Sequence, residues 1–102
     1  MTICAALIVK DEASIIGRCL KSIKPYIDCW VIVDTGSSDD TKEIIKNEMA
    51  EILGELHDHS WKNFGENRTR LVRLCKEKAD YILLLDADMV LNVADETFRH
   101  DL

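Results

Sequence analysis

The sequence predicts an α/β fold: a doubly wound, mostly parallel sheet of order 3-2-1-4 with helices on both faces. Three observations carry this. The runs "TICAALIV" and "CWVIV" are continuously apolar rather than alternating, as expected of strands covered on both sides. Segments with apolar residues at helical spacing separate them. The resulting order, β-α-β-α-(β)-α-β, is that of parallel sheets. Right-handed crossovers then favour a chain that grows one way through three strands and returns past the first.

Each element follows from its residues. Ile3 to Val9 is the first strand. Ile15, Ile16, Cys19, Leu20 and Ile23 make one face of a helix that Pro25 ends. "CWVIV" is the second strand, stopped by "DTGSSDD". Ile44, Ile45, Met49, Ile52 and Leu53 form the stripe of a second helix. Ser37 and Asp40 have capping-box spacing at its start, and Gly54 is placed to close it. "ELHD" reads as a short third strand near an edge, and "HSWKNFGEN" as a loop. Leu71, Val72, Leu74, Cys75 and Ala79 face inward from a third helix, with Arg68 and Arg70 near its start. Tyr81 to Leu85 reads as a buried fourth strand, and the tail from Asn92 is weakly patterned.

The 102 residues suit one domain, residues 1–102. A chain of this length buries roughly two-thirds of its unfolded surface, enough for a core without staples. The composition, 47% hydrophobic and 31% charged with mixed signs, is that of a globular chain. A net charge of −6 argues against nonspecific binding to nucleic acid or anionic membranes. Ile3 to Val9 is too short to span a bilayer and has no basic flank before it, so no membrane segment and a cytoplasmic location are expected. The four cysteines fall singly in apolar segments without C-x-x-C spacing and read as buried free thiols.

Open α/β sheets bind ligands outside the carboxyl ends of their strands, where the order reverses. The polar residues cluster there. The first strand ends in Lys10, Asp11 and Glu12, the second in "DTGSSDD", and the fourth in Asp86 and Asp88. In an extended segment residues i and i+2 point the same way, so Asp86 and Asp88 can aim at one point. Two carboxylates there repel unless a cation lies beside them, and an oxygen-only set suits Mg²⁺ or Mn²⁺ completed by a diphosphate. Asp34 could accept a hydrogen bond from a base or ribose, and Gly36 allows a tight turn. Arg68 and Arg70 have the planar fork that suits a diphosphate. Ser37, Ser38 and Asp39 read as helix-capping groups, His57 and His59 as solvated, and Trp61 and Phe64 as packing over a sheet edge.

In this order, "LIVKDEASIIGRCLKSI", "VIVDTGSSDDT", "FGENRTR" and "ADYILLLDADMVL" resemble the nucleotide-binding half of a family 2 glycosyltransferase of GT-A fold, over nearly the whole chain. The resemblance implies a nucleotide-diphosphate sugar donor, commonly a UDP-sugar, and Mn²⁺ or Mg²⁺. It places Asp11 and Glu12, after Lys10, where the first strand's end meets the nucleoside. Asp34 falls at the base and Arg68 near the diphosphate. Asp86 and Asp88 match the D-x-D motif, Asp88 at the metal and Asp86 nearer the ribose. Thr35 stands where many members carry a second acid. The resemblance also implies an acceptor half with the catalytic base, expected beyond Leu102, and inverting transfer by single displacement. Two other readings compete: a non-catalytic binding or assembly module whose exposed sheet edge could pair with a second copy as a homodimer, and a Mg²⁺-binding receiver-like domain, which lacks its late lysine here.

Overall fold

The computed structural model describes residues 2–60, 62–76 and 78–88. Trp61, the Phe64 side chain, His100 and the segment from residue 89 lie outside the described residues.

Strands β1 (Ile3–Val9), β2 (Cys29–Asp34), β3 (Gly54–Asp58) and β4 (Tyr81–Leu85) form one sheet of order β3-β2-β1-β4. Every neighbouring pair is parallel. Helices α1 (Ile16–Ile23), α2 (Thr41–Glu48) and α3 (Phe64–Lys76) connect them, with a 3-10 turn over Lys24–Tyr26 that carries Pro25.

The strand period of two sorts the core into two layers. Ile3, Ala5, Leu7 and Val9 of β1 and Trp30 and Ile32 of β2 pack with Ile16, Leu20, Ile23 and Ile45 of α1 and α2. Cys4, Ala6, Cys29, Val31 and Val33 pack under Leu71 and Cys75 of α3 on the other face. Strand β1 is the middle of this arrangement, which is why its sequence never alternates: both of its faces are inside. Fully burying a residue such as Leu7 contributes roughly 1.5–3 kcal/mol. All four cysteines are buried free thiols, as expected.

Four expectations are corrected. Helix α2 ends at Glu48, so Gly54 opens β3 rather than closing a helix, and Leu53 is 83% exposed. Trp30 accounts for the glycine: its indole N–H donates to the Ile52 carbonyl at 2.8 Å, and its ring lies where a Cβ on residue 54 would sit, 2.1 Å from Trp30 Cε2. Only a glycine admits the ring there.

Helix α3 starts at Phe64, inside the stretch read as a loop. Asn63 supplies its cap, Oδ1 accepting from the Glu66 N–H at 2.8 Å. Asn67, on its first turn, is 2% exposed, accepting from the Lys62 N–H and donating to the Ser60 carbonyl.

The Ser37–Asp40 capping box does not form, since Asp40 makes no side-chain cap and Ser37 is engaged elsewhere. Finally, β4 is less buried than a continuous apolar run suggests, with Tyr81 40% and Leu84 37% exposed. Among the described residues β1 is its sole strand neighbour.

Candidate functional site

The carboxyl ends of the strands carry a groove. One recess, 210 Å³, is lined by Asp34, Thr35, Gly36, Asp58, His59 and Ser60. A second, 390 Å³, is lined by Ile8, Val9, Lys10, Glu12 and Thr35. A third, 290 Å³, is lined by Ile8, Glu12, Ile15, Asp86, Ala87 and Asp88. Thr35 is shared by the first two, and Ile8 and Glu12 by the last two, so the recesses run together from the β3 end to the β4 end.

Asp34, the last residue of β2, is fully buried. Its Oδ1 accepts from the N–H groups of Gly36 at 2.8 Å and Ser37 at 2.7 Å. This side chain holds its own turn closed. Gly36 sits at φ 122° with open space around its Cβ position, so conformation and not crowding requires glycine there. Asp34 Oδ2 is buried with no hydrogen-bond partner among the described residues. Burial opposes the charged form of Asp34, but the hydrogen bonds from Ser37 and Gly36, with Lys42 beyond, outweigh it and hold the carboxyl below its ordinary value of 3.8. A buried, ionised oxygen without a donor is costly unless a ligand or a water brings it an N–H or O–H.

Thr35 ties the end of β2 to the end of β1, its N–H and hydroxyl both donating to the Val9 carbonyl, at 3.0 and 3.3 Å.

Past β1, Lys10 and Asp11 are exposed and Glu12 is half-buried. Asp11 adopts φ 50°, a left-handed conformation that aspartate tolerates better than most residues. Its Oδ1 accepts from the Ser38 N–H at 2.7 Å, so this carboxylate is already engaged within the protein. The Glu12 carbonyl accepts from the N–H groups of Ile15 and Ile16 and starts α1. Among the described residues nothing pairs with the Glu12 carboxylate.

Asp86 and Asp88 are exposed and flank buried Ala87. The extended geometry expected for them is not what joins them: the chain leaves β4 after Leu85 and turns at residues 87–88. Both nevertheless line the same recess, together with Glu12. The Cys19 thiol donates to the Asp86 carbonyl at 3.7 Å and anchors the turn to α1.

The groove therefore gathers Lys10, Glu12, Asp34, Asp86 and Asp88. Asp11 stands beside it with its carboxylate on Ser38. Arg68 is exposed in the second turn of α3, and the three recesses are lined without it. Arg70 instead reaches the groove through His59, whose Nδ1 lies 2.6 Å from the arginine Nη1. An arginine only donates, so Nδ1 accepts and the imidazole is neutral with its proton on Nε2. Burial and the neighbouring Arg70 and His57, against Asp58, lower the His59 pKa from 6.5. The two histidines are thus not solvated as expected: both are half-buried, His57 bonding Glu55 at 3.0 Å. The "HDH" run gave no signal for this, because Arg70 lies 11 residues on.

Comparison with known proteins defines the class. The profile of glycosyl transferase family 2 matches residues 4–95, and the chain belongs to that family. It is 32% identical over 88 residues to the SPbeta prophage-derived glycosyltransferase SunS of Bacillus subtilis, covering 85% of this chain and 20% of that protein. It is 37% identical over 82 residues to a TPR repeat-containing protein of Synechococcus elongatus, covering 80% of this chain and 19% of the relative. The chain thus spans about a fifth of the length of these relatives. The fold is shared with S. aureus TarS in complex with UDP, at TM-score 0.75 and 19% identity over 99% of this chain and 31% of that one. It is shared as well with the glucosyl-3-phosphoglycerate synthase of Mycobacterium tuberculosis in complex with Mn²⁺, UDP and glucosyl-3-phosphoglycerate. That match has TM-score 0.68 and 22% identity, over 87% of this chain and 34% of that one.

Proposed function

We propose that this chain is the donor-binding half of a metal-dependent glycosyltransferase that takes a nucleotide-diphosphate sugar, a UDP-sugar in preference, and transfers the sugar with inversion by single displacement. The observation that carries the reading is the groove itself. It runs from a buried carboxylate with a free acceptor oxygen to a recess with three carboxylates, at the place where open parallel sheets bind nucleotides. Both family membership and the UDP-bound proteins of shared fold support it.

At the β2 end, Asp34 Oδ2 accepts the imide N–H of a uracil in the recess it shares with His59 and Ser60. Cytosine offers no hydrogen at that ring nitrogen, so it leaves the oxygen unpaired. At the β1 end Glu12, whose carboxylate has no partner among the described residues, accepts from the nucleoside, and Lys10 adds a positive charge to the groove. At the β4 end Asp86 and Asp88 face the diphosphate. Among the described residues no group of three or more His, Cys, Asp or Glu could hold a metal ion unaided. Two exposed carboxylates beside Glu12 fit a hard cation whose remaining ligands are diphosphate oxygens and water, as Mn²⁺ or Mg²⁺ requires. When bound, such an ion neutralises charge on the departing diphosphate. Asp88 and Asp86 would hold it. No helix of the described residues is long and apolar enough to cross a membrane. A cytoplasmic location is part of the proposal.

Thermal unfolding tests this. At about a hundred times its dissociation constant, UDP with Mn²⁺ adds about 2.7 kcal/mol to the folded state, on the order of 10 °C for a chain of this size. The Asp88→Asn variant should lose most of that shift. An unmoved Tm with saturating UDP and Mn²⁺ overturns the reading and leaves the non-catalytic assembly module, whose mark is a stable homodimer paired through a sheet edge.

A further inference from the structure

Three successive backbone amides after β1 are held by side chains of one short polar segment. The Asp11 N–H donates to Ser37 Oγ at 2.8 Å, the Glu12 N–H to Thr41 Oγ1 at 2.8 Å, and the Ala13 N–H to Asp39 Oδ2 at 3.2 Å. The segment is itself tied together. Asp39 Oδ1 accepts from the Thr41 N–H at 2.9 Å and from the Thr41 hydroxyl, and Asp11 Oδ1 accepts from the Ser38 N–H at 2.7 Å. These partners are 26 to 29 residues apart in the chain, so they join the loop after β1 to the loop after β2.

Glu12 is the residue the arrangement fixes most completely. Its N–H is held by Thr41 and its carbonyl by the start of α1. Its carboxylate has no partner among the described residues and lines the recess of Asp86 and Asp88. A chain that needed only to cap α2 would spend Ser37, Asp39 and Thr41 on the amides of α2. Here two of the three turn to the neighbouring loop, and the third, Asp39, serves both. Thr41 itself is fully buried at the first position of α2, so the brace is anchored in the core and not in solvent.

We infer that Thr41 and Asp39 are positioning residues for the donor site: they hold the Glu12 backbone so that its carboxylate meets the donor beside the D-x-D acids. The inference rests on the donor-binding reading above. Its logic is that of preorganisation. A carboxylate on an unbraced loop must be ordered when the ligand arrives, and small displacements of a positioned group are expensive. Neither Thr41 nor Asp39 lines the recess of Asp86 and Asp88, so neither needs to touch the ligand for its loss to be felt.

Thr41→Val keeps the shape of a buried side chain and removes the oxygen. Its test is the affinity of the full chain for UDP with Mn²⁺ by titration calorimetry, alongside amide hydrogen exchange. Thr41→Val should weaken binding about tenfold or more, while Thr41→Ser, which restores the oxygen, should stay within about twofold of the unmodified chain. Exchange of the Glu12 amide should quicken about tenfold in Thr41→Val. Ile45→Val, which only thins the core under the same helix, should lower Tm yet leave affinity within about twofold and Glu12 exchange unchanged. Unchanged affinity or unchanged Glu12 exchange in Thr41→Val overturns the inference, as does an equal loss of affinity in Ile45→Val. No uptake of UDP and Mn²⁺ by the unmodified chain removes the donor reading itself, a result distinct from any of these.

Discussion

The acids at the end of β2 and the acids at the end of β4 are treated in opposite ways. Asp34 is fully buried, with one oxygen committed to two backbone amides that close its own turn. Asp86 and Asp88 are exposed, and no described residue hydrogen-bonds either carboxylate. Chemically identical groups at neighbouring strand ends therefore belong to different parts of the energetics. The first is organised by the protein before any ligand arrives, and its loss damages the fold. The other two are held by no described residue; on the proposed reading a ligand organises them, and the fold should not depend on them.

Substitutions can break that contrast or sharpen it. The largest effect belongs to Asp34→Ala. It strips the acceptor from two amides of a tight turn and should cost about 3 kcal/mol, read as a lower midpoint in urea with an unchanged slope. Asp34→Asn keeps an oxygen for those amides but replaces the free acceptor with a donor. It should fold nearly normally and lose uridine-nucleotide affinity by about tenfold or more. If Asp34→Asn were as unstable as Asp34→Ala, the division of labour between its two oxygens would be wrong.

The next effect is that of pH. Asp34 is held below 3.8 in the folded state, so the unfolded chain takes up its proton first as the solution is acidified. The stabilisation is complete above that ordinary value and fades as pH falls through the lower folded-state value. Between about pH 6 and about pH 3 the Tm advantage of the unmodified chain over Asp34→Asn should shrink. An advantage that grows on acidification would reverse the sign and sink the account of the turn. Smallest of all is the stability effect of Asp86→Asn or Asp88→Asn, expected within about 0.5 kcal/mol without ligand. A larger loss would mean these acids serve the fold after all.

Much of this was legible in the sequence, for identifiable reasons. The order β3-β2-β1-β4 follows from the β-α alternation and right-handed crossovers, and the unbroken run "TICAALIV" marks β1 as covered on both faces, though the similar run of β4 is half-exposed. The strand-end acids stood out because carboxylates beside such runs are rare without a purpose. The tasks of the other polar residues were hidden by distance along the chain. Ser37, Ser38 and Asp39 looked like caps because capping is local, whereas each also bonds the loop after β1, and Thr41, which holds the Glu12 amide, gave no signal at all. Gly54 looked like a helix stop until Trp30, 24 positions earlier, was seen to occupy the space of its missing side chain. Asn63 with Glu66 is a local capping pattern that the sequence does display, and it marks the true start of α3.

The central place of β1 has a metrical consequence. With β1 between β2 and β4, Asp34 and the Asp86–Asp88 turn stand at strand ends two interstrand steps apart, about 10 Å at ordinary strand spacing. On the proposed reading a lone base would fill one end and a lone pyrophosphate the other. A molecule carrying both at that separation makes its second contact at the effective concentration set by its first. The sheet is in this sense a gauge of ligand length, ruled by backbone hydrogen bonds that side-chain substitutions leave in place.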